Sequence, residues 1–342
     1  MKTLLVDGNS LLKNSFEATI STEEYQLGIN GIYWFLYRVR FLLDTEKYHR
    51  FKVVFDGKDS GRLRKDVFAG YKASRKDKKD EDVDKYESFK SQKTALKAIL
   101  SHLCPVIEDD IVEADDIIAY YVTNKQSEEK VTIVTGDFDL TQLISPTVNV
   151  YYLNRKFKNK TRTVERYEKN DDRRSMIIDH KNFLKLFGHP YQNIPIIKSI
   201  CGDASDEIPN IKGIKETSLF NLFPSLLKEE GSIESILSEC GNFLEEKNVT
   251  KSKQKRFIFE GVVKDTSDPD VIKRNMRLVK LPNNEFMTDS CKEASSIFLA
   301  AKNELNDAIG LKLKLDSTGL SKFISKKLKN SKTFFKPFNL KS

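Results

Sequence analysis

The sequence predicts an α/β fold, a mostly parallel central sheet flanked by helices, followed by a helical region and a basic tail. Three observations predict it. Short β-branched or leucine-rich runs in the first half end at aspartates, helical periodicity fills the intervals between them, and beyond about Ile177 the pattern is helical only.

The first run, Leu4-Leu5-Val6, leads into Asp7-Gly8-Asn9-Ser10. The second, Lys52-Val53-Val54-Phe55, leads into Asp56-Gly57. The third, Val131 to Thr135, leads into Gly136-Asp137-Phe138-Asp139, and a fourth, Val148-Asn149-Val150-Tyr151-Tyr152, carries no such acid. Short continuous apolar runs fit strands buried on both faces, as in parallel sheets. Apolar residues recur at helical spacing over Gly31–Leu43, Tyr86–Leu103 and Glu113–Val122. Strands alternating with helices give a doubly wound sheet, whose functional groups gather beyond the carboxyl ends of the strands. Three strand ends that each carry an aspartate therefore predict one site.

Residues 58–85 hold few apolar positions and many charges, from Arg62, Arg64 and Lys65 through Lys72, Arg75 and Lys76 to Asp80–Asp84, and read as an exposed, partly helical excursion. Residues 154–174 are basic and turn-like. Past Ile177, short helices are expected at Asn182–Phe187, Ile194–Cys201, Thr217–Phe223 and Ile233–Leu244. From Ser317 onward there are seven lysines and no acid, and Phe334-Phe335-Lys336-Pro337-Phe338 stands near the end. The expected domains are 1–180, including the excursion at about 58–95, then 181–310, then the tail 311–342.

The chain has 342 residues and is 39% apolar, enough to build a core and to exclude wholesale disorder. No apolar run approaches the ~18–20 residues of a membrane span, and Asp7 arrives too early for a signal peptide. Lys and Arg number 58 against 50 acids, a modest argument for a polyanionic partner. The four cysteines form no C-x-x-C pair, and the four histidines show no zinc spacing. A reducing cytoplasm is expected, and any metal should be a hard cation held by oxygen. The absence of G-x-x-x-x-G-K-[ST] and G-x-G-x-x-G argues against an ATPase or a dinucleotide enzyme.

The strongest functional signal is the set of acids. Asp7, Asp56, Asp137 and Asp139 sit at strand ends, and Glu113, Asp115 and Asp116 at a helix start. Asp203 and Asp206 lie in Gly202-Asp203-Ala204-Ser205-Asp206-Glu207-Ile208-Pro209. Singly, an aspartate after a strand is most often a turn former or an N-cap. If the first seven converge, each pair at 4 Å costs ~4 kcal/mol at an effective dielectric of 20. Divalent cations would relieve that repulsion. Many oxygen ligands without His or Cys suit Mg²⁺ or Mn²⁺, and two ions ~3.5–4 Å apart would clamp a scissile phosphate.

Taken in order, these residues resemble the 5′-nuclease (flap endonuclease) family, in its phage 5′-to-3′ exonuclease branch. The matching pieces are Leu5–Ser10, Phe55-Asp56, Ser60–Arg64 to Tyr71–Arg75, Glu113–Ala119, Thr135–Leu143, Gly202–Pro209 and Gly213–Lys215. The resemblance implies a PIN-like nuclease core, a helical arch at about 58–95 and a C-terminal helix–three-turn–helix domain, its hairpin at about 194–223. It implies metal ligation by Asp7, Asp56, Glu113, Asp115, Asp137 and Asp139, with Asp116, Asp203 and Asp206 at the second site or its surroundings. Lys72 and Arg75 match basic residues that steer the scissile phosphate, and their spacing would put both on one helical face. Arg64, Tyr71, Gly213, Ile214 and Lys215 are the expected DNA contacts, Tyr71 either by stacking on a terminal base or by packing the arch base. Relatives bind K⁺ at the hairpin, where Lys215 and Ser218 replace the usual Gly and Ala.

The reading is a Mg²⁺-dependent, monomeric 5′-to-3′ exonuclease and flap endonuclease of replication. Its substrates would be 5′ flaps, nicks, gaps and RNA–DNA hybrids, the last an RNase H activity. The aromatic tail would be a tethered docking peptide for a sliding clamp or a single-strand-binding protein. Two other readings remain open, a PIN-type ribonuclease and a non-catalytic, structure-selective DNA-binding protein.

Overall fold

A computed structural model describes residues 1–75, 82–153, 176–245, 252–264, 266–302, 308–328 and 334–338. The basic stretch 154–174 and part of the excursion, 76–81, lie outside the described residues.

Among the described residues, six strands form the main sheet: β1 (Lys2–Asp7), β2 (Arg50–Asp56), β3 (Val106–Asp109), β4 (Lys130–Thr135), β5 (Val148–Tyr152) and β6 (Met176–Ile178). Their spatial order is β3-β2-β1-β4-β5-β6. The first five strands are joined by four parallel pairings, with Val6 beside both Val53 and Val134, while β6 runs antiparallel to β5. The chain starts in the middle, builds outward to β3, then crosses to β4. That reversal places a crevice beyond the carboxyl ends of β1 and β4, where ligands bind in open α/β sheets.

Strand β1 shows why the runs are continuously apolar. Leu4 and Val6 point to one face and Leu5 to the other, and all three are buried. The first face is covered by α1 (Gly8–Glu17), α3 (Asn30–Thr45) and α5 (Val83–Leu100), with the short α2 (Glu23–Gln26) beside them. On α3, the predicted stripe Ile32, Phe35, Leu36, Val39, Leu42 and Leu43 is buried throughout. The side chain of Asp82 caps α5 by accepting from the Lys85 amide at 3.1 Å. Helix α4 (Arg62–Val67) precedes α5 and begins after Gly61, whose left-handed φ of 85° suits glycine.

The second face is covered by α6 (Ala114–Asn124), α7 (Phe183–Phe187) and α13 (Asp289–Ala300), through Ile117, Phe183, Cys291 and Phe298. Lys52 faces this side and is fully buried. Its Nζ donates to the backbone carbonyls of Phe298 and Ala301, the latter at 2.6 Å, so it terminates α13 as a buried cation.

A separate cluster joins α8 (Ile194–Cys201), α9 (Glu216–Leu222), α10 (Ile233–Glu245), α11 (Ser252–Phe259) and α12 (Val271–Val279) around Ile200, Ile214, Leu219 and Cys240. A two-stranded ribbon, β7 (Val262–Val263) and β8 (Thr266–Ser267), lies between α11 and α12. The packing crosses both expected domain limits. Helices α7 and α13 complete the sheet's second face. At the end of the chain, α14 (Ala308–Ser317) and α15 (Leu320–Leu328) send Leu311, Leu315, Leu320, Phe323 and Ile324 into the first face.

The aromatic tail corrects an expectation. Phe334 and Phe338 are 0% and 1% exposed, and Phe338 packs edge-on to Phe51 of β2 at 5.9 Å. Fully burying a phenylalanine stabilises by roughly 1.5–3 kcal/mol, so this segment is held on its own sheet. Strands β3, β6, β7 and β8 and helices α1, α2 and α11 to α15 were not among the elements predicted by residue range.

Candidate active site

Three strand ends and the α6 N-terminus meet at the crevice. Asp7 closes β1 and caps α1: its Oδ1 accepts from the Ser10 amide at 3.0 Å, and its Oδ2 accepts from the Thr135 hydroxyl at 2.8 Å. Asp56 closes β2. Its Oδ2 accepts from Asn9 Nδ2 at 2.6 Å and its Oδ1 from the Ala114 amide at 2.8 Å, so α6 and β2 are stitched at the carboxylate. Beyond β4, the Thr135 hydroxyl accepts from the Asp137 amide at 2.9 Å, and Asp137 Oδ1 accepts from the Asp139 amide at 2.9 Å. Gly8 is required here, because a Cβ would lie 2.5 Å from the Phe55 ring.

The electrostatics show that these acids face one another. Burial pushes Asp7 up to about 7, with the charges of Asp56 and Asp137 adding to it. Asp115, in the first turn of α6, is pushed well above the carboxylate range by burial and then by Asp137, Asp7 and Asp56. Asp7, Asp56, Asp115 and Asp137, four of the seven acids expected to converge, thus lie close enough for their charges to act on one another.

Asp139, Asp203 and Asp206 form a second group. Each places a carboxylate oxygen within 4.8 Å of the others, the only such triad of His, Cys, Asp or Glu among the described residues. Asp139 is raised to about 7, by burial first, despite the opposing charge of Lys198. Lys198 Nζ donates to both Asp139 and Asp203. That cation overcomes burial at Asp203 and lowers it. Asp206 is raised by burial, Lys72 working against it. The donor set is oxygen only, crowded and partly buried, and its raised carboxyls gain from a cation at neutral pH. It fits hard divalent ions.

The remaining two predicted acids are engaged differently. Arg64 spans Asp116 through both Nη atoms, Nη2 to Oδ1 at 2.9 Å; Nη1 also reaches Glu113 at 2.7 Å, and Nε donates to the Leu278 carbonyl at 3.0 Å. Both Asp116 oxygens accept from Arg64, so in this arrangement Asp116 is the counter-ion of that guanidinium. Glu113 also accepts from Lys72 Nζ at 2.6 Å and the Tyr71 hydroxyl at 3.0 Å. Burial alone would raise Glu113, but Lys72 and Arg64 hold it down to about 2.

Arg64 and Tyr71 therefore do not present themselves to DNA. Arg64 is 4% exposed and Tyr71 2%, with the tyrosine hydroxyl also 3.2 Å from Asp206. Tyr71 packs the base of the excursion beside Ile208, Leu278 and Phe286 instead of offering a stacking face. Lys72 is not helical. Its φ is 51°, and the 3₁₀ turn Ala73–Arg75 follows it, so the expected shared helical face with Arg75 is absent. Its Nζ nonetheless lies at the acids, 3.6 Å from Asp206. The Arg75 side chain lies outside the described residues.

In the hairpin, Gly213 has a φ of 72° in an open turn and Lys215 is exposed at the start of α9. Ile214 is buried, and its amide donates to the Ile211 carbonyl at 3.0 Å, so it belongs to the core. Sequence reasoning missed Lys198, Thr135 and Asn9. Lys198 had a signal, being the one cation in the apolar run Ile194–Cys201 and five residues before Asp203.

A family model for the 5′-3′ exonuclease N-terminal resolvase-like domain matches residues 2–172. The 5′-3′ exonuclease of Aquifex aeolicus is 32% identical over 251 residues, 72% of this chain and 76% of that one. DNA polymerase I of Caldicellulosiruptor bescii is 32% identical over 239 residues, 69% of this chain, and the match spans about a quarter (25%) of the polymerase. The fold is similar to that of T5 5′-exonuclease with bound zinc, at a TM-score of 0.65 and 17% identity, covering 87% of this chain and 97% of that one.

Proposed function

The chain belongs to the 5′-3′ exonuclease family of phosphodiesterases, and on that premise we propose that it is a Mg²⁺-dependent 5′-to-3′ exonuclease and flap endonuclease of replication. Its substrates would be 5′ ends at flaps, nicks and gaps in DNA, and RNA primers on DNA, with 5′-phosphate and 3′-hydroxyl products. The observation that carries this reading is the double acid cluster at the switch point of the sheet, in which Asp7 and Asp139 are both pushed up to about 7.

Asp7, Asp56, Asp115 and Asp137 would hold one divalent ion, and Asp139, Asp203 and Asp206 a second. Bound there, Mg²⁺ or Mn²⁺ supplies Lewis acidity toward the phosphate and lowers the pKa of an attacking water. The protein's own part is positioning. Asn9 and the Ala114 amide fix both Asp56 oxygens, and Thr135 ties Asp7 to the Asp137 backbone. Lys72, and Arg75 by family resemblance, would neutralise the scissile phosphate as it enters beside Glu113 and Asp206.

The helical region would hold duplex phosphates around Gly213 and Lys215, with K⁺ as a candidate ion of that hairpin. With Phe334 and Phe338 buried, a clamp or single-strand-binding protein would meet exposed lysines such as Lys322, Lys326 and Lys336. A monomer in a reducing cytoplasm fits four free cysteines, three of them buried. No helix among the described residues is long and apolar enough to cross a membrane.

The test is cleavage of a 5′-labelled flap duplex with Mg²⁺, with and without EDTA. EDTA-sensitive release, abolished by Asp137→Ala with duplex binding retained, is the expected result. No cleavage with intact duplex binding would favour the non-catalytic reading, and preference for single-stranded RNA would favour the PIN-type ribonuclease.

A further inference from the structure

The acid motif Gly202–Pro209 contains a third carboxylate, Glu207, which stands apart from the Asp139, Asp203 and Asp206 triad. The loop that carries it is closed on itself: the Asp203 amide donates to the Ile208 carbonyl at 2.9 Å, and the Ile208 amide returns to Asp203 at 2.8 Å. Within it Glu207 has a φ of 60°, in the left-handed region that residues with a β-carbon seldom adopt. Its carboxylate meets the excursion at Ser74. Oε1 accepts from the Ser74 amide at 3.0 Å and from the Ser74 hydroxyl at 2.8 Å, and Oε2 lies 3.3 Å from the same amide.

The other side of this junction is also left-handed. Lys72 has a φ of 51°, and its amide donates to the Asp206 carbonyl at 3.1 Å. Two unfavourable backbone conformations thus face each other across a short set of hydrogen bonds. Such conformations persist only where the surroundings over-determine them, and they cluster at functional sites. The residue they orient is Lys72, whose Nζ stands between Glu113 and Asp206.

We infer that Glu207 is a positioning residue: by holding Ser74 it fixes the 72–75 turn so that Lys72 is aimed at the acid clusters. The loop that supplies Asp203 and Asp206 would in this way also set the phosphate-steering cation. The inference rests on the reading of Lys72 given above.

The test uses Glu207→Gly, Glu207→Gln, Lys72→Ala and the Lys72→Ala/Glu207→Gly pair in the full chain. Glycine removes the carboxylate while relieving the left-handed backbone, so loss of folding is avoided, and glutamine keeps an acceptor for Ser74. Expected for Glu207→Gly is a fall in kcat of roughly tenfold or more on a 5′-labelled flap duplex with Mg²⁺, with KM little changed. Amide exchange at residues 72–75 should rise in the same variant without metal or DNA, and Glu207→Gln should restore both readouts. In the Lys72→Ala background, adding Glu207→Gly should cost little more, because both changes act through one side chain.

Wild-type kcat or unchanged exchange in Glu207→Gly, failure of Glu207→Gln to restore them, or losses that multiply in the pair would overturn the inference while Lys72→Ala remains slow. If Lys72→Ala itself turns over like wild type, the reading of Lys72 fails first and the inference falls with it.

Discussion

Arg64 and Asp116 form a two-pronged ion pair beneath the acid crevice, and neither reaches solvent: they are 4% and 2% exposed. The guanidinium also holds Glu113 and stacks 4.4 Å from the centroid of Phe286. Removing one partner of such a pair leaves a buried charge uncompensated, which costs about 3–5 kcal/mol. Arg64→Ala should lose about that much in urea unfolding. Duplex affinity of the folded fraction should stay near wild type. A large loss of affinity with unchanged stability would instead return Arg64 to the DNA surface.

The raised carboxyls make a pH prediction with a definite sign. Asp7 and Asp139 titrate near 7 in the folded protein, against an ordinary value of 3.8. Between those values the folded state binds more protons than the unfolded chain, so stability is full below about pH 4 and is lost as pH rises through about 7. In EDTA, the melting temperature should fall by several degrees between pH 5.5 and pH 8 from these groups. Millimolar Mg²⁺ should reverse the fall at pH 8, and Asp7→Asn should flatten the metal-free profile. A metal-free melting curve that is level or rising over this range would contradict the crowding of the acids.

The tail prediction concerns stability. Phe334 is fully buried, stacked 6.2 Å from Tyr33 and under the Arg40 guanidinium at 5.4 Å. Phe→Ala at such a site costs about 3–5 kcal/mol. Phe334→Ala, and truncation after Leu328, should lower the melting temperature and expose a dye-binding apolar surface over Tyr33 and Phe51. A tail held free for a partner would leave both measurements unchanged.

Much of this architecture was readable because both faces of the sheet are covered. Runs such as Leu4–Val6 and Val131–Thr135 then have no polar side, and the aspartates that end them mark the crevice. Strand β3 escaped notice because Val106-Ile107-Glu108-Asp109 is half acidic and lies at an edge, where alternation is short and burial partial. Residue types and order identified the acids, but not their partners. Nothing in the linear sequence distinguishes Asp115, which faces Asp137 and Asp7, from Asp116, which turns one residue further around α6 to meet Arg64. Glu108 illustrates the same limit: its contacts with Lys93 and Lys97 of α5 exist only once β3 has been laid beside β2.

Lys198 occupies the place of a counter-ion between Asp139 and Asp203, on an otherwise apolar helix. Its own ionisation is pushed up because those two carboxylates outweigh the burial that would lower it. A tethered cation of this kind stabilises the metal-free site and competes with any ion the triad would take. Lys198→Met should therefore act in opposite directions on two measurements. Without metal it should destabilise the fold by about 3–5 kcal/mol, the cost of stripping a buried pair of one member. With Mg²⁺ added, the rise in melting temperature should be larger than in wild type and should saturate at a lower concentration, because stabilisation by a bound ion grows with its affinity. A variant that is destabilised but shows the wild-type Mg²⁺ response would mean that the ion does not enter between Asp139 and Asp203, and the second metal position would have to be sought among Asp7, Asp56, Asp115 and Asp137.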